Sequence, residues 1–261
     1  MALMQVNFFS NVLETSVQMN VIIPQQTSGQ IGMETKGEKA FPTLYLLHGL
    51  SDDHTIWLRR TSIERYVSDM NLAVVMPTTH AGWYTDMAYG SRYWTYLTQE
   101  LPQVCRSFFR GMSDKREDNF IAGLSMGGYG AFKAALGAPQ TFCAAASLSG
   151  ALDVDELVRT NSLRDAHYWY TVFGDPAKIK GSQNDVFYLA EQCRVSGPMP
   201  RLYQWCGTED SLYAQNVRLR DHLQRLGYDL TYEESPGIHR WNYWDEKIQS
   251  VLKWWEQSRG E

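Results

Sequence analysis

The chain has 261 residues, 44% of them hydrophobic and 20% charged, with 24 Lys+Arg against 29 Asp+Glu for a net charge of −5. That balance is ordinary for a globular protein and argues against large-scale disorder, and the mild acidic surplus lacks the clustered basic surface of a nucleic-acid binder. No apolar run approaches the ~18 residues that cross a bilayer, so no membrane partner is expected. The one dense charge run, Asp114 to Asp118, mixes both signs and reads as a solvated loop.

Cys105, Cys143, Cys193 and Cys206 are far apart, with no C-x-x-C pair and no zinc spacing. Buried free thiols are the better reading than a disulfide framework, which suits a reducing compartment. The first basic residue is Lys36, and no charged segment leads into an apolar stretch of signal-peptide type. A cytoplasmic location is therefore expected.

In chain order, residues 17–24 begin in alternation and turn β-rich, as a strand near a sheet edge does. A polar, Gly-containing loop over 27–39 is of the kind that links two antiparallel strands. Short apolar runs then follow at 43–47, 72–76, 120–124, 143–148, 201–205 and 230–234, without clean alternation, as in strands covered on both faces. Between them lie helical candidates at 63–70, 126–136 and 212–226, the last stopped by Gly227. The final helix carries Trp241, Trp244, Ile248, Val251 and Trp255 on one face. Such alternation predicts an α/β protein, one domain over 1–261 with a mainly parallel sheet and helices on both faces. Residues 153–200 break the rhythm with a dense aromatic group, His167 to Tyr170 and Phe173, and read as an insertion over the carboxyl edge of the sheet, where ligands bind in open α/β folds.

Gly123-Leu124-Ser125-Met126-Gly127 is a G-x-S-x-G motif between an expected strand and an expected helix. The pentapeptide alone is a modest signal; its strand–turn–helix context predicts the nucleophile elbow of the α/β-hydrolase fold, with Gly123 and Gly127 giving the tight turn room. The competing reading is a glycine-rich turn that merely packs a helix on a strand. A serine hydroxyl needs a base, and the fold's order of nucleophile, acid, histidine leaves His167, His222 and His239. His222 lies inside an expected helix and reads as a surface residue, and His167 sits in the aromatic insertion. His239 follows the last expected strand and is the choice. Asp210 occupies the preceding loop as the acid, unless it merely caps the helix near Leu212, a task Ser211 could take over. Glu209 is the rival acid, and Asp153 or Asp155 more distant ones. The backbone N–H groups of Met126 and Leu50 are the oxyanion-hole candidates, and His48 reads as structural.

The segments Tyr45 to Leu50, Gly123 to Gly130, Cys206 to Asp210 and Gly237 to Trp241 together resemble the esterase D family, and within it the bacterial tributyrin esterases, over almost the whole chain. The resemblance implies hydrolysis of short acyl esters without metal or organic cofactor, with nucleophile, acid and base on Ser125, Asp210 and His239. S-formylglutathione hydrolases share the fold and elbow, but they typically follow the His-Gly pair with a glycine-rich, cysteine-containing segment, where Leu50 to His54 stands here. The resemblance and the many aromatics also make a homo-oligomer an expectation. Trp57, Trp83, Tyr84 and Trp169 fall in or near loops at the expected catalytic edge and either narrow an acyl pocket to acetyl-to-butyryl groups or pack in the interior. Aromatic platforms also suit sugars, so an acetylated carbohydrate is a candidate substrate. Two other classes stand against this: a metallohydrolase built on His48, Asp52, Asp53 and His54, for which H-x-H or H-E-x-x-H spacing is missing, and a silent binding protein, against which the three triad candidates in order argue.

Overall fold

The computed structural model describes residues 1–25, 27, 40–160 and 163–257. Eight strands form one sheet: β1 (Ala2–Ser10), β2 (Thr15–Ile23), β3 (Thr43–Leu47), β4 (Ala73–Pro77), β5 (Asn119–Leu124), β6 (Ala144–Leu148), β7 (Arg201–Gly207) and β8 (Leu230–Ser235). Their spatial order is β1-β2-β4-β3-β5-β6-β7-β8. Strands β3 to β8 run parallel, while β2 pairs antiparallel with β4 and with β1 at the edge.

Every apolar run of the sequence becomes a strand, within one or two residues at each end, and every residue of β3, β4, β5 and β6 is buried. Alternate side chains of each strand go to opposite layers. Leu44 and Leu46 join the layer of α1 (Ile56–Arg60), α2 (Ile63–Tyr66) and α10 (Trp241–Gln257), whose Trp255 stacks on Phe120 at 3.9 Å between ring centroids. Tyr45 and Leu47 join the other layer. It holds the helical segment Tyr93–Thr95 (α3), Tyr96–Glu100 (a π-turn) and Leu101–Phe108 (α4), together with α5 (Met126–Gly137), α8 (Val186–Ser196) and α9 (Tyr213–Leu226). On α10, Trp244, Ile248, Val251, Leu252 and Trp255 are buried, while Trp241 is half-covered against Trp57.

Several expectations are corrected. The loop at 27–39 lies, Thr27 apart, outside the described residues; the strands before and after it, β2 and β3, run antiparallel, with β4 between them. Strand β1 and the helical segment over 93–108 are elements that the sequence reading did not place. Helix 63–70 shortens to Ile63–Tyr66. The 153–200 insertion divides: α6 (Val154–Arg159) and α7 (Ala166–Phe173) belong to connections at the carboxyl edge, whereas α8 packs on α5 and α9 against the sheet face. Asp153, Asp165 and Asp185 cap α6, α7 and α8, each accepting a backbone N–H of the first turn. His222 is not a free surface residue, since its ring meets Phe187 on α8.

Candidate active site

Strand order reverses between β3 and β5: the chain moves one way from β3 to β4 and the other way from β5 to β8. In open α/β sheets such a switch point opens a crevice beyond the carboxyl ends of the strands. The loops carrying Leu50 and Ser125 leave β3 and β5 there. Ser125 sits between β5 and α5 with φ 52° and ψ −119°, a strained conformation for a residue with a Cβ. The turn is possible because the residues two places to either side, Gly123 and Gly127, are glycines. A Cβ on Gly123 would lie 2.4 Å from the Gly127 carbonyl oxygen, and one on Gly127 would lie 2.6 Å from the carbonyl oxygens of Leu47 and His48.

The Ser125 Oγ lies 3.0 Å from His239 Nε2, and His239 Nδ1 lies 2.9 and 3.1 Å from the two Asp210 oxygens. Burial alone would raise the Asp210 pKa, but the hydrogen bond and charge of His239, with the Leu212 N–H, hold it below the ordinary value. An ionised Asp210 favours the tautomer in which His239 Nδ1–H donates and Nε2 is free to accept from serine. Asp210 Oδ1 also accepts the Leu212 N–H at 2.9 Å in the turn before α9, whose N-cap residue is Leu212 with no side-chain cap, so neither Asp210 nor Ser211 caps that helix.

Glu209 serves differently from an acid partner. Its carboxylate accepts the Gly237 N–H, its own N–H donates to the Gly237 carbonyl at 3.0 Å, and the Thr208 N–H donates to Ser235 O at 3.0 Å, so the acid loop clasps the histidine loop. The other rivals are engaged elsewhere: Asp153 caps α6 and pairs with Arg218, and Asp155 pairs with Arg159. Ser149 was not legible as part of the site. Held at φ 47°, it accepts the Trp244 indole N–H at 3.2 Å and helps to hold the Asp210 carboxyl low, while the Trp244 ring packs edge-on to His239 at 4.8 Å.

The N–H of Met126 begins α5, where backbone donors have no partner within the helix. The β3 loop passes close by: a Cβ on Gly49 would lie 3.8 Å from Ser125 Cβ. That loop is held by His48, buried, whose Nδ1 lies 2.7 Å from Gly49 O and whose Nε2 accepts the Thr79 N–H at 3.0 Å. Burial drives its pKa down to about 4, so the ring is a neutral strut. The Tyr84 hydroxyl donates to His48 O at 2.8 Å, and its ring fills the space left by Gly130. Tyr84 is therefore a brace for the loop. Asp52 comes near the same place, and burial pushes its carboxyl up to about 6.

Of the other aromatics named for substrate contact, Trp57 is 1% exposed and Trp83 and Trp169 are fully covered. Trp57 donates to Leu47 O and belongs to the α10 layer; Trp83 and Trp169 pack together at 5.1 Å in the opposite layer. They form no single wall and present no open face. His48, Asp52, Asp53 and His54 do not converge, and among the described residues no group of three or more His, Cys, Asp or Glu is arranged for a metal ion.

A mostly parallel sheet with a strained serine on the β5–α5 elbow defines an α/β-hydrolase. The Esterase family, described as "Putative esterase", matches residues 10–255, and the chain belongs to it; it is a carboxylic ester hydrolase. An acetyl esterase of Caldicellulosiruptor saccharolyticus is 31% identical, with 97% of this chain and 98% of that protein covered. The substrate-bound structure of fluorophosphonate-binding serine hydrolase F from Staphylococcus aureus is 34% identical with a TM-score of 0.88, 98% of each chain being covered. A structure of an S-formylglutathione hydrolase from the same organism is 33% identical with a TM-score of 0.85, again over 98% of each chain.

Proposed function

We propose that this esterase hydrolyses short-chain acyl esters, acetyl to butyryl, through Ser125, His239 and Asp210, and that acetylated carbohydrates are its natural substrates. The observation that carries the catalytic reading is the unbroken hydrogen-bond chain from Ser125 Oγ through His239 to the buried Asp210. His239 Nε2 takes the serine proton as Oγ attacks the ester carbonyl. The N–H groups of Met126 and Leu50 stabilise the oxyanion. The protonated imidazole then hands its proton to the leaving alcohol, and water, activated in turn by His239, releases the acid from Ser125. Asp210 orients the ring and offsets its transient charge. Tributyrin lies within the proposed acyl range. The likeness to an acetyl esterase along nearly its whole length supports the short-acyl end of that range. Four free thiols suit a reducing, cytoplasmic setting.

A thioester reading is favoured by one observation, the 33% identity to an S-formylglutathione hydrolase, since the same machinery would cleave an acyl–sulfur bond. Mass spectrometry after fluorophosphonate treatment tests the nucleophile: the adduct is expected on Ser125, and a labelled protein with Ser125 unmodified refutes the assignment. Comparing kcat/KM for p-nitrophenyl acetate, an acetylated xylo-oligosaccharide and S-formylglutathione decides the substrate class. A thioester preferred by 100-fold or more would displace the carbohydrate ester reading.

A further inference from the structure

Beyond the end of β4 the surface opens into a second cavity of about 380 Å³ that contains none of the triad residues. Its position follows from strand register. Met19 of β2 pairs with Pro77, the last residue of β4, so the residues of β2 before Met19 run on past the carboxyl end of β4 and wall the space beyond it. The loops after β3 and β4 supply the remaining sides through Asp53, His54 and His80. This is the edge of the sheet from which Ser125 and His239 also emerge. Strand β4 lies two places from β5 in the sheet, a lateral offset of about 10 Å. The two places are mechanically joined: the Thr79 N–H binds His48 of the loop next to Ser125, and the His54 N–H donates to Thr78 Oγ1 at 2.9 Å.

The lining is that of a site for a neutral, hydroxyl-rich ligand. Gln18 and Asn7 offer an amide donor and acceptor each, and Asp53 and His54 add planar acceptor and imidazole edges. Both loop hydrogen bonds to Asp53 fall on Oδ1, and the single one to the His54 ring joins Nδ1 and Thr78 Oγ1 at 2.7 Å. Val17 contributes an apolar strip. No Lys or Arg is among the described lining residues, while Asp53 keeps its charge because the Thr55 hydrogen bonds outweigh the cost of its burial. An anionic ligand is therefore disfavoured, and the volume suits one or two rings of a polyol.

We propose that this cavity is a sugar subsite, which holds the neighbouring residues of an acetylated oligosaccharide while the ester bond lies at Ser125. The proposal rests on the carbohydrate ester reading above. It makes the cavity a source of binding energy remote from the reacting bond, so it should favour oligosaccharide over monosaccharide esters.

The side chains of Gln18 and His80 are exposed, so their removal leaves the fold intact. The experiment compares the wild type, the double variant Gln18→Ala/His80→Ala and the space-filling variant Gln18→Trp. Each is assayed on p-nitrophenyl acetate, monoacetyl xylose and an acetylated xylotriose. The expected result is that the wild type favours the trisaccharide ester over the monosaccharide ester by tenfold or more in kcat/KM. Both variants should lose that advantage through KM and keep p-nitrophenyl acetate turnover. Retention of the advantage in both variants overturns the subsite, as does a wild type with equal kcat/KM on the two sugar esters; in either case the carbohydrate reading itself stands. A wild type that cleaves p-nitrophenyl acetate but neither sugar ester brings down that reading and the subsite with it.

Discussion

The elbow and the aromatic cluster beside it are both fully packed, yet they are built on opposite principles. At the elbow, side chains are removed so that segments can close on one another: a Cβ on Gly123 or Gly127 would meet backbone, and one on Gly49 the Leu124 side chain, each at under 3 Å. In the cluster, large rings fill the volume: Trp83, Tyr129, Trp169 and Phe173 meet at centroid distances of 5.1 to 6.0 Å. The first region stores strain at Ser125, and the second supplies burial. Changes in the elbow should therefore strike turnover, and changes in the cluster should strike stability.

The largest expected effect is at Ser125, the proposed nucleophile. Ser125→Ala should lower kcat on p-nitrophenyl acetate by on the order of 10⁴-fold or more, with an unchanged circular dichroism spectrum. Ser125→Gly should be as inactive but melt at a higher temperature than Ser125→Ala, because glycine removes a positive-φ cost of about 1 kcal/mol or more. Equal melting temperatures would remove strain from the description of the elbow.

Next comes the acid loop. Asp210→Asn should cost on the order of 10²- to 10⁴-fold in kcat by disturbing the His239 tautomer. Glu209→Gln should cost less than tenfold, since an amide oxygen can still accept the Gly237 N–H. Steady-state kinetics showing the reverse order would move the acid to Glu209.

In the cluster, Trp169→Ala should destabilise the protein by about 3–5 kcal/mol in chemical denaturation, while p-nitrophenyl acetate turnover stays within tenfold. A p-nitrophenyl ester series should peak at four carbons or fewer and fall by eight. Trp57→Ala, in the opposite layer, should leave that optimum in place. A shift of the optimum to octanoate in Trp57→Ala would show that this ring walls the acyl pocket, against its burial in the α10 layer.

The smallest effect concerns Lys133, which lies on α5 one face away from the elbow. Its ammonium donates to Thr85 Oγ1 and Asn184 Oδ1, both at 2.7 Å, over the rings of Trp94 and Tyr129. Burial brings its pKa down to about 7, with Asp86 pulling the other way. Between that value and the ordinary lysine value of 10.5 the unfolded chain binds the extra proton, so stability rises with pH over this window and is lost as pH falls towards 7. Melting temperatures at pH 6, 7.5 and 9 should show this rise in the wild type and a flatter profile in Lys133→Met. Parallel profiles would show that Lys133 keeps its proton throughout.

What the sequence determined by itself was whatever local backbone chemistry dictates. The buried strands were legible because each is a continuous apolar run, and the meeting of the Ser125, Asp210 and His239 side chains was expected because each lies just beyond such a run, in the order the elbow demands. Tertiary structure decided the rest, because it turns on which distant segments meet. Nothing near Ser149 announces Trp244, 95 residues away, and nothing near Glu209 shows that it would grip Gly237 and not His239. The same holds for the aromatics. Their positions in or near loops place Trp57, Trp83 and Trp169 near the catalytic edge, but only the side of the sheet on which each connection packs separates Trp57, on α1, from the other two. The second cavity is the extreme case: it exists because the register of β2 on β4 carries Gln18 past the end of a parallel strand, and register is a property of two chains of atoms in contact, which neither segment holds alone.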